Sequence, residues 1–357
     1  MNVYFVVHGS AHIGMGHIIR SLSLAEAFRE HGHQVVFFSK YEPGIARIRK
    51  SGFPVRIIPG FGEKKKVKGF FYGNPEEALQ DAQYIWKQLS ETADIIIVDS
   101  YNVTPEFFRT LKKASRYLVY IDDLNAFSYP VDFLINGSAA AMDMGYEKTQ
   151  SAQLLLGLSY NLIRKEFRDL PLRQSKEKIT DILLTTGNSD PCHMTEMFRD
   201  ILAGENIFRN INFHVIIGSG FEPGNLKDLN TWDNLTVYFY EQPEQLSIIM
   251  QKCDLAITAG GSTLYELAAC GVPAIAFAYA ENQMPQILAM EKKGLLHYIG
   301  TYQNISKEKL VKSMSYMKEN PAAHSNVSQK IQTLIDAKGV LRLVNKIEKY
   351  TYSTVIT

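Results

Sequence analysis

The sequence predicts an α/β protein built from two parallel-sheet domains, and three observations lead there. Short β-branched runs alternate with amphipathic stretches along the chain, which is the rhythm of βαβ units. A length of 357 residues suits two domains better than one. Each half also carries a glycine-containing strand-to-helix turn, where open parallel sheets place their ligand sites.

In the first half, Val3–Val7 reads as a buried strand. Ile18–His31 reads as a helix, with Ile19, Leu22, Leu24, Ala25 and Phe28 near helical spacing. A strand at Val35–Ser39, a helix at Pro43–Ser51, a strand at Val55–Ile58 and a helix at Pro75–Ser90 follow. The continuous apolar run Ile95-Ile96-Ile97-Val98 ending in Asp99 is the pattern of a central parallel strand. A helix opening at Pro105, a favoured first-turn position for proline, leads to strands at Tyr117–Asp122 and Phe133–Asn136.

Leu156–Lys165 has no clear place in either sheet, so the domains are set at 1–157 and 158–357. In the second half, strands are expected at Asp181–Thr185, Phe213–Ile217, Val237–Phe239, Leu255–Thr258 and Ala274–Phe277. Helices are expected at Glu244–Lys252, Ser262–Cys270 and Gln283–Lys293. Two more, Lys307–Met317 and Ser325–Lys349, close the chain, the second crossing back onto the N-terminal domain.

Charge and cysteine usage narrow the function classes. Thirty-eight basic against 37 acidic residues leave a net charge of +1, which disfavours nucleic acid and makes any anion site local. The single basic run, Lys64–Lys68, reads as a solvated loop. Cys192, Cys253 and Cys270 are odd in number and form no CxxC pair, as reduced thiols of a cytoplasmic protein would. Val3–Val7 is too short for a signal segment, and no stretch approaches the ~20 apolar residues of a membrane span. The chain is therefore read as a soluble cytoplasmic monomer with no membrane insertion.

Three loops carry the candidate chemistry. In the first, Gly14 and Gly16 let backbone approach a ligand, and the helix start that follows offers free N–H groups. It is not a dinucleotide fingerprint: Ile19 stands at the third glycine, and the second strand ends in Ser39-Lys40 with no ribose acid. Instead His17 opens the helix with Arg20 three residues on, on the same face. A helix N-terminus and a guanidinium both disfavour imidazolium, so a neutral His17 suited to general-base work is expected. A histidine there can equally be a cap or core residue, but the flanking glycines and arginine favour chemistry. His12 is the competing base.

The second loop is Gly260-Gly261-Ser262-Thr263, an anion cradle with two hydroxyls, followed by Glu266 in the first helical turn. A carboxylate there can accept both hydroxyls of a ribose, although acids also occur in first turns simply to match the helix dipole. The third is the turn Thr185–Asp190 around Gly187. Two phosphate-type loops facing one cleft suit a ligand with a diphosphate and two ends, such as a nucleotide sugar.

Ile13–Arg20, Val98–Tyr101, Ile121–Asp123, Leu134–Asn136, Gly157–Phe167, Gly187–Pro191, Gly260–Pro273 and Asn282-Gln283 occur in this order. Together they resemble the UDP-2,4-diacetamido-2,4,6-trideoxy-β-L-altropyranose hydrolase (PseG) family of pseudaminic acid biosynthesis, with its spore-coat polysaccharide relatives, over about residues 1–295. The C-terminal part also resembles the peptidoglycan N-acetylglucosaminyltransferases. That resemblance implies a GT-B-like fold of two Rossmann-type domains facing a central cleft.

The resemblance further implies that His17 activates water against the anomeric carbon of a UDP-sugar, with inversion and with no metal or cofactor. It places Tyr101 with His17 in the catalytic set, on the sugar side, Thr263, Glu266, Asn282 and Gln283 on UDP, and Arg20 and Asn136 against the diphosphate or sugar. Ser100, Ser138 and Asn188 depart from the family's usual histidine, asparagine and glycine. A GT-B glycosyltransferase that admits an acceptor in place of water is the alternative. A non-catalytic nucleotide-sugar-binding protein is the third reading, and His17 with Arg20 speaks against it.

Overall fold

A computed structural model describes the chain apart from residues 11–12, 61–73, 147–151, 175, 177, 219, 222–234 and 354–357. His12 and the run Lys64–Lys68 therefore lie outside the described residues. Contacts divide the chain into two compact units, Met1–Arg164 with the chain from Lys338 onward, and Lys165–Ala337.

The first unit runs β1 (Asn2–Val7), α1 (Gly16–Glu30), β2 (Gln34–Ser39), α2 (Glu42–Lys50), β3 (Val55–Ile57), α3 (Pro75–Gln88), β4 (Ala93–Asp99), α4 (Pro105–Lys112), β5 (Ser115–Ile121), β6 (Phe133–Asn136) and β7 (Gln153–Leu156). Its seven strands lie in the order β3-β2-β1-β4-β5-β6-β7, all paired in parallel. Strand β7 is a four-residue edge strand inside the stretch that the sequence left unassigned.

Side chains alternate between the two faces of a strand, and here the alternation sorts two cores. Val3, Phe5, Val7, Ile95, Ile97, Val119, Ile121 and Ile135 pack with Ile18, Leu22 and Phe28 of α1. Val6, Phe38, Ile96, Val98, Leu118, Tyr120 and Leu134 pack with Ala78, Ala82 and Ile85 of α3 and Phe107, Phe108 and Leu111 of α4. Every residue at a strand end is thereby assigned to a face before its chemistry is considered.

The second unit runs β8 (Asp181–Thr185), α5 (Met194–Ala203), β9 (Asn212–Ile217), β10 (Thr236–Glu241), α6 (Leu246–Lys252), β11 (Leu255–Ala259), α7 (Thr263–Ala269), β12 (Ala274–Ala278), α8 (Met284–Lys292), β13 (Leu296–Thr301), α9 (Lys307–Glu319) and α10 (Pro321–Leu334). Its six parallel strands are ordered β10-β9-β8-β11-β12-β13. Both units are thus doubly wound, with switch points at β1/β4 and β8/β11. No helix among the described residues is long and apolar enough to cross a membrane.

The single helix expected at Ser325–Lys349 is instead two, α10 and α11 (Gly339–Ser353). They serve different cores. Helix α10 sits in the second unit, where Ser328 Oγ donates to the Gly271 carbonyl at 2.6 Å and Gln332 Nε2 to the Pro171 carbonyl at 2.9 Å. Helix α11 places Val340, Leu343, Val344 and Ile347 in the α1-side core of the first unit. One straight helix cannot present both stripes to two cores, and the chain breaks at Ala337, whose φ is 56°. Residues 158–164, read from the sequence with the second domain, also pack with the first unit: Tyr160 and Leu162 lie against that core, and Asn161 Nδ2 donates to the Gly137 carbonyl at 2.8 Å.

Candidate active site

At the β1/β4 switch point, the loop after β1 turns into α1 through Gly14, whose φ of +84° is in the left-handed region. The Gly14 N–H donates to the Ser10 carbonyl at 2.8 Å, which closes the turn. Helix α1 then starts without a side-chain cap and with no acid in its first turn. Among the described residues, no acceptor receives the N–H groups of Gly16, His17 and Ile18. A Cβ built on Gly14 or Gly16 would meet nothing within 4 Å.

His17, 7% exposed, meets the end of β4. Asp99 continues the alternation of Ile95 and Ile97, so its carboxylate points to the α1 face. His17 Nδ1 lies 2.5 Å from Asp99 Oδ1. Arg20 donates from Nε to Asp99 Oδ2 at 2.7 Å and from Nη2 to Oδ1 at 2.6 Å, a bidentate fork. Ser21 Oγ donates to Oδ2 at 3.1 Å. The ionised carboxylate only accepts, so Nδ1 carries a ring proton and Nε2 is the nitrogen that can bear a lone pair. Among the described residues Nε2 has no partner, and it is not counted with the buried unpartnered atoms.

The electrostatics fix this arrangement. Burial opposes ionisation of Asp99, but Arg20 and then His17 outweigh it and hold the carboxyl far below its usual range. Burial likewise works against the Arg20 cation, and Asp123 and Asp99 more than restore it. Arg20 Nη1 donates to Asp123 Oδ2 at 2.7 Å, and Tyr101 OH donates to the same oxygen at 2.9 Å. Burial and Asp123 push the Tyr101 phenol well up, so it stays protonated at neutral pH. The Tyr101 ring stands edge-on to His17 with centroids 4.5 Å apart.

His17, Arg20 and Tyr101 therefore come together, and Asp99, Asp123 and Ser21 join them. Arg20's donors face two carboxylates, so it orders the base rather than presenting a free cation. Asn136 lies elsewhere: with Leu134, it belongs to the α3/α4 face. It is 1% exposed, its Nδ2 donating to Tyr146 OH at 3.0 Å and its Oδ1 accepting from Ser138 N at 2.9 Å. Tyr146 in turn donates to the buried Asp122 at 2.6 Å. This second network supports the loops behind the sheet.

In the second unit, the turn after β8 and the turn after β11 differ sharply. Asp190 accepts from Met194 N and Thr195 N, both at 2.8 Å, and from Tyr279 OH at 2.6 Å. The first turn of α5 is thus already filled by the protein's own carboxylate, and Gly187 N donates to Thr185 Oγ1 at 3.2 Å. By contrast, α7 has no side-chain cap, and the N–H groups of Ser262 and Thr263 have no acceptor among the described residues. The α7 start thus keeps N–H groups that the α5 start has already given to Asp190.

Its two glycines have different duties. A Cβ on Gly260 would come 2.2 Å from Ile287 Cδ1, whereas one on Gly261 would meet nothing within 4 Å. Gln286 Nε2 donates to the Gly260 carbonyl, and Tyr265 OH to Gln286 Oε1 at 2.9 Å, so α8 braces the turn. Glu266 is buried at 6% exposure in the first turn of α7. Asn282 and Gln283 follow β12 in a 3-10 turn, and Gln283 Oε1 accepts from Tyr279 N at 2.9 Å.

Sequence reasoning had no role for Asp99, Asp123 or Gln286, and took Asp190 only as the end of the Thr185–Asp190 turn. The available signal for the first two was their position at the ends of apolar strand runs.

Comparisons with known proteins agree with this architecture. The Glycosyl transferases group 1 family matches residues 197–333. The chain is 25% identical to a Helicobacter pylori protein named pseudaminic acid cytidylyltransferase and UDP-2,4-diacetamido-2,4,6-trideoxy-beta-L-altropyranose hydrolase, covering 73% of this chain but only 52% of that protein. It is 22% identical to the Campylobacter jejuni UDP-2,4-diacetamido-2,4,6-trideoxy-beta-L-altropyranose hydrolase, covering 82% of this chain and 97% of that one. Among solved structures, MurG of Acinetobacter baumannii superposes with a TM-score of 0.69 at 15% identity, covering 98% of this chain and 99% of that one. The fold is of the GT-B type, two Rossmann-like parallel-sheet units.

Proposed function

We propose that this chain is a hydrolase that releases UDP from a UDP-linked 2,4-diacetamido-2,4,6-trideoxyhexose. The observation that carries the proposal is the His17–Asp99 pair, with Nδ1 held at 2.5 Å and Nε2 left with its lone pair at an open helix start. Two named relatives support the substrate class. The Campylobacter protein, covered over 97% of its length, bears the hydrolase name alone, while 52% of the two-function Helicobacter protein is covered.

In this mechanism a water oxygen attacks the anomeric carbon while His17 Nε2 accepts its proton. The bond from that carbon to the UDP oxygen breaks, UDP leaves with the electron pair, and the sugar is released with inverted configuration. UDP is a stable leaving group, so orientation of the water and favourable dipoles supply much of the catalysis. The α7 start, Glu266, Asn282 and Gln283 are assigned to UDP, and Tyr101 to the sugar end.

A glycosyltransferase is the second reading, favoured by the match over residues 197–333. That segment lies wholly in the second unit, whose nucleotide-binding task is common to both reactions. Incubation with the UDP-linked diacetamido sugar in ¹⁸O-water, without acceptor, separates them. Hydrolysis gives UDP and free sugar labelled at the anomeric oxygen. Intact substrate after prolonged incubation, with turnover restored by an acceptor, establishes transfer instead.

A further inference from the structure

The two carboxylates that hold Arg20 are not equivalent. Asp99 is fully buried and both its oxygens are taken, Oδ1 by His17 and Arg20, Oδ2 by Arg20 and Ser21. The Asp123 side chain keeps 27% exposure, and both of its donors, Arg20 and Tyr101, bind one oxygen, Oδ2. Among the described residues, Oδ1 of Asp123 has no partner.

This lone acceptor does not stand by itself. The donor of one Oδ2 bond, Tyr101, lies edge-on to His17, 7% exposed, whose Nε2 likewise has no partner among the described residues. Two polar atoms of one connected network thus await a ligand at the same end of β4 and β5. Their chemistry selects what that ligand is. Two carboxylates against one guanidinium repel a phosphate, while a fixed carboxylate oxygen attracts a neutral N–H or O–H donor.

We infer that Asp123 is a sugar-binding residue, its Oδ1 accepting a hydrogen bond from an amide N–H or hydroxyl of the hexose held beside His17. The inference rests on the nucleotide-sugar reading above. It assigns the sugar's donor groups, and not the diphosphate, to this end of the first unit. Arg20 and Tyr101 act on the substrate through Asp123: they fix the carboxylate's rotation so that Oδ1 meets the ligand without a further entropic cost.

The test is binding in a His17→Asn background, which stops turnover, by calorimetric titration of the full chain with UDP and with the UDP-linked diacetamido sugar. Asp123→Asn and Asp123→Ala added to that background should weaken the sugar nucleotide ~10-fold or more, as expected for one hydrogen bond to a charged group. UDP affinity should be unchanged, which also reports that both variants are folded. If Asp123 only steadies Arg20, the same substitutions made in the active chain lower kcat while sugar-nucleotide affinity stays intact, and the inference fails while the hydrolase reading stands. A His17→Asn parent that binds UDP but gains nothing from the sugar overturns both.

Discussion

His17 Nδ1 and Asp99 Oδ1 are 2.5 Å apart, although 82 residues separate them, and the contact fixes which ring nitrogen is protonated. The buried carboxylate accepts from the ring on one side and from the Arg20 fork on the other. The imidazole cannot rotate or change tautomer without leaving a buried acceptor unmatched.

Replacing Asp99 by Asn tests that orientation. The amide can turn its N–H toward Nδ1, which shifts the ring proton to Nε2 and removes the base. Turnover should fall by about 10²–10⁴, with KM little changed. Steady-state kinetics on the UDP-linked sugar would contradict the pairing if kcat stayed within a few-fold of the parent.

The same pair should shape stability against pH. Asp99 has a depressed folded pKa, so its contribution is present above the unfolded carboxylate value of about 4 and fades as pH falls through that value toward the folded one. At neutral pH, Asp99→Asn should cost about 3 kcal/mol, because the Arg20 cation loses a buried partner. Thermal melts at pH 7 and pH 3 should show the gap between parent and variant shrinking at the lower pH. A gap that widens there would refute the assignment.

The two glycines after β11 predict opposite phenotypes. Gly260→Ala drives a Cβ into Ile287 and should destabilise the fold by about 1–3 kcal/mol. Gly261→Ala meets open space and should leave the melting temperature alone. If Gly261 lies against UDP, its substitution weakens UDP binding instead. Melting curves and UDP titrations on both variants distinguish structural from ligand-facing glycine.

Asp190 is read as a helix cap and not as a ligand residue. Asp190→Ala removes the acceptor for Met194 N, Thr195 N and Tyr279 OH and should cost about 1–2 kcal/mol. Asp190→Asn, which keeps one side-chain oxygen, should recover part of that loss in chemical denaturation. Equal midpoints for the Ala variant and the parent would remove the capping role.

Much of the fold was legible because it rests on local pattern. The Ile95–Val98 run could be read as a central strand, since a parallel strand covered on both faces needs apolar residues at every position. Strand β7 and the break after α10 were not legible. The first is four residues on a sheet edge, and the second reflects which of two cores each half of an amphipathic stretch joins. In the site, His17 and Arg20 stood out because three residues of helix place them together without tertiary information.

By itself the sequence determined the α/β rhythm, the open glycine turn before α1, and a histidine and arginine on one helical face. Tertiary structure decided which side chains meet that histidine. Strand order brings β4 beside β1, and nothing in chain order requires it. Alternation along β4 and past the end of β5 then puts Asp99 and Asp123 on the α1 side, and Asp122 on the other with Asn136 of β6. A side-chain period of two means that one residue's shift would exchange these sets, which is why neighbouring acids serve different networks.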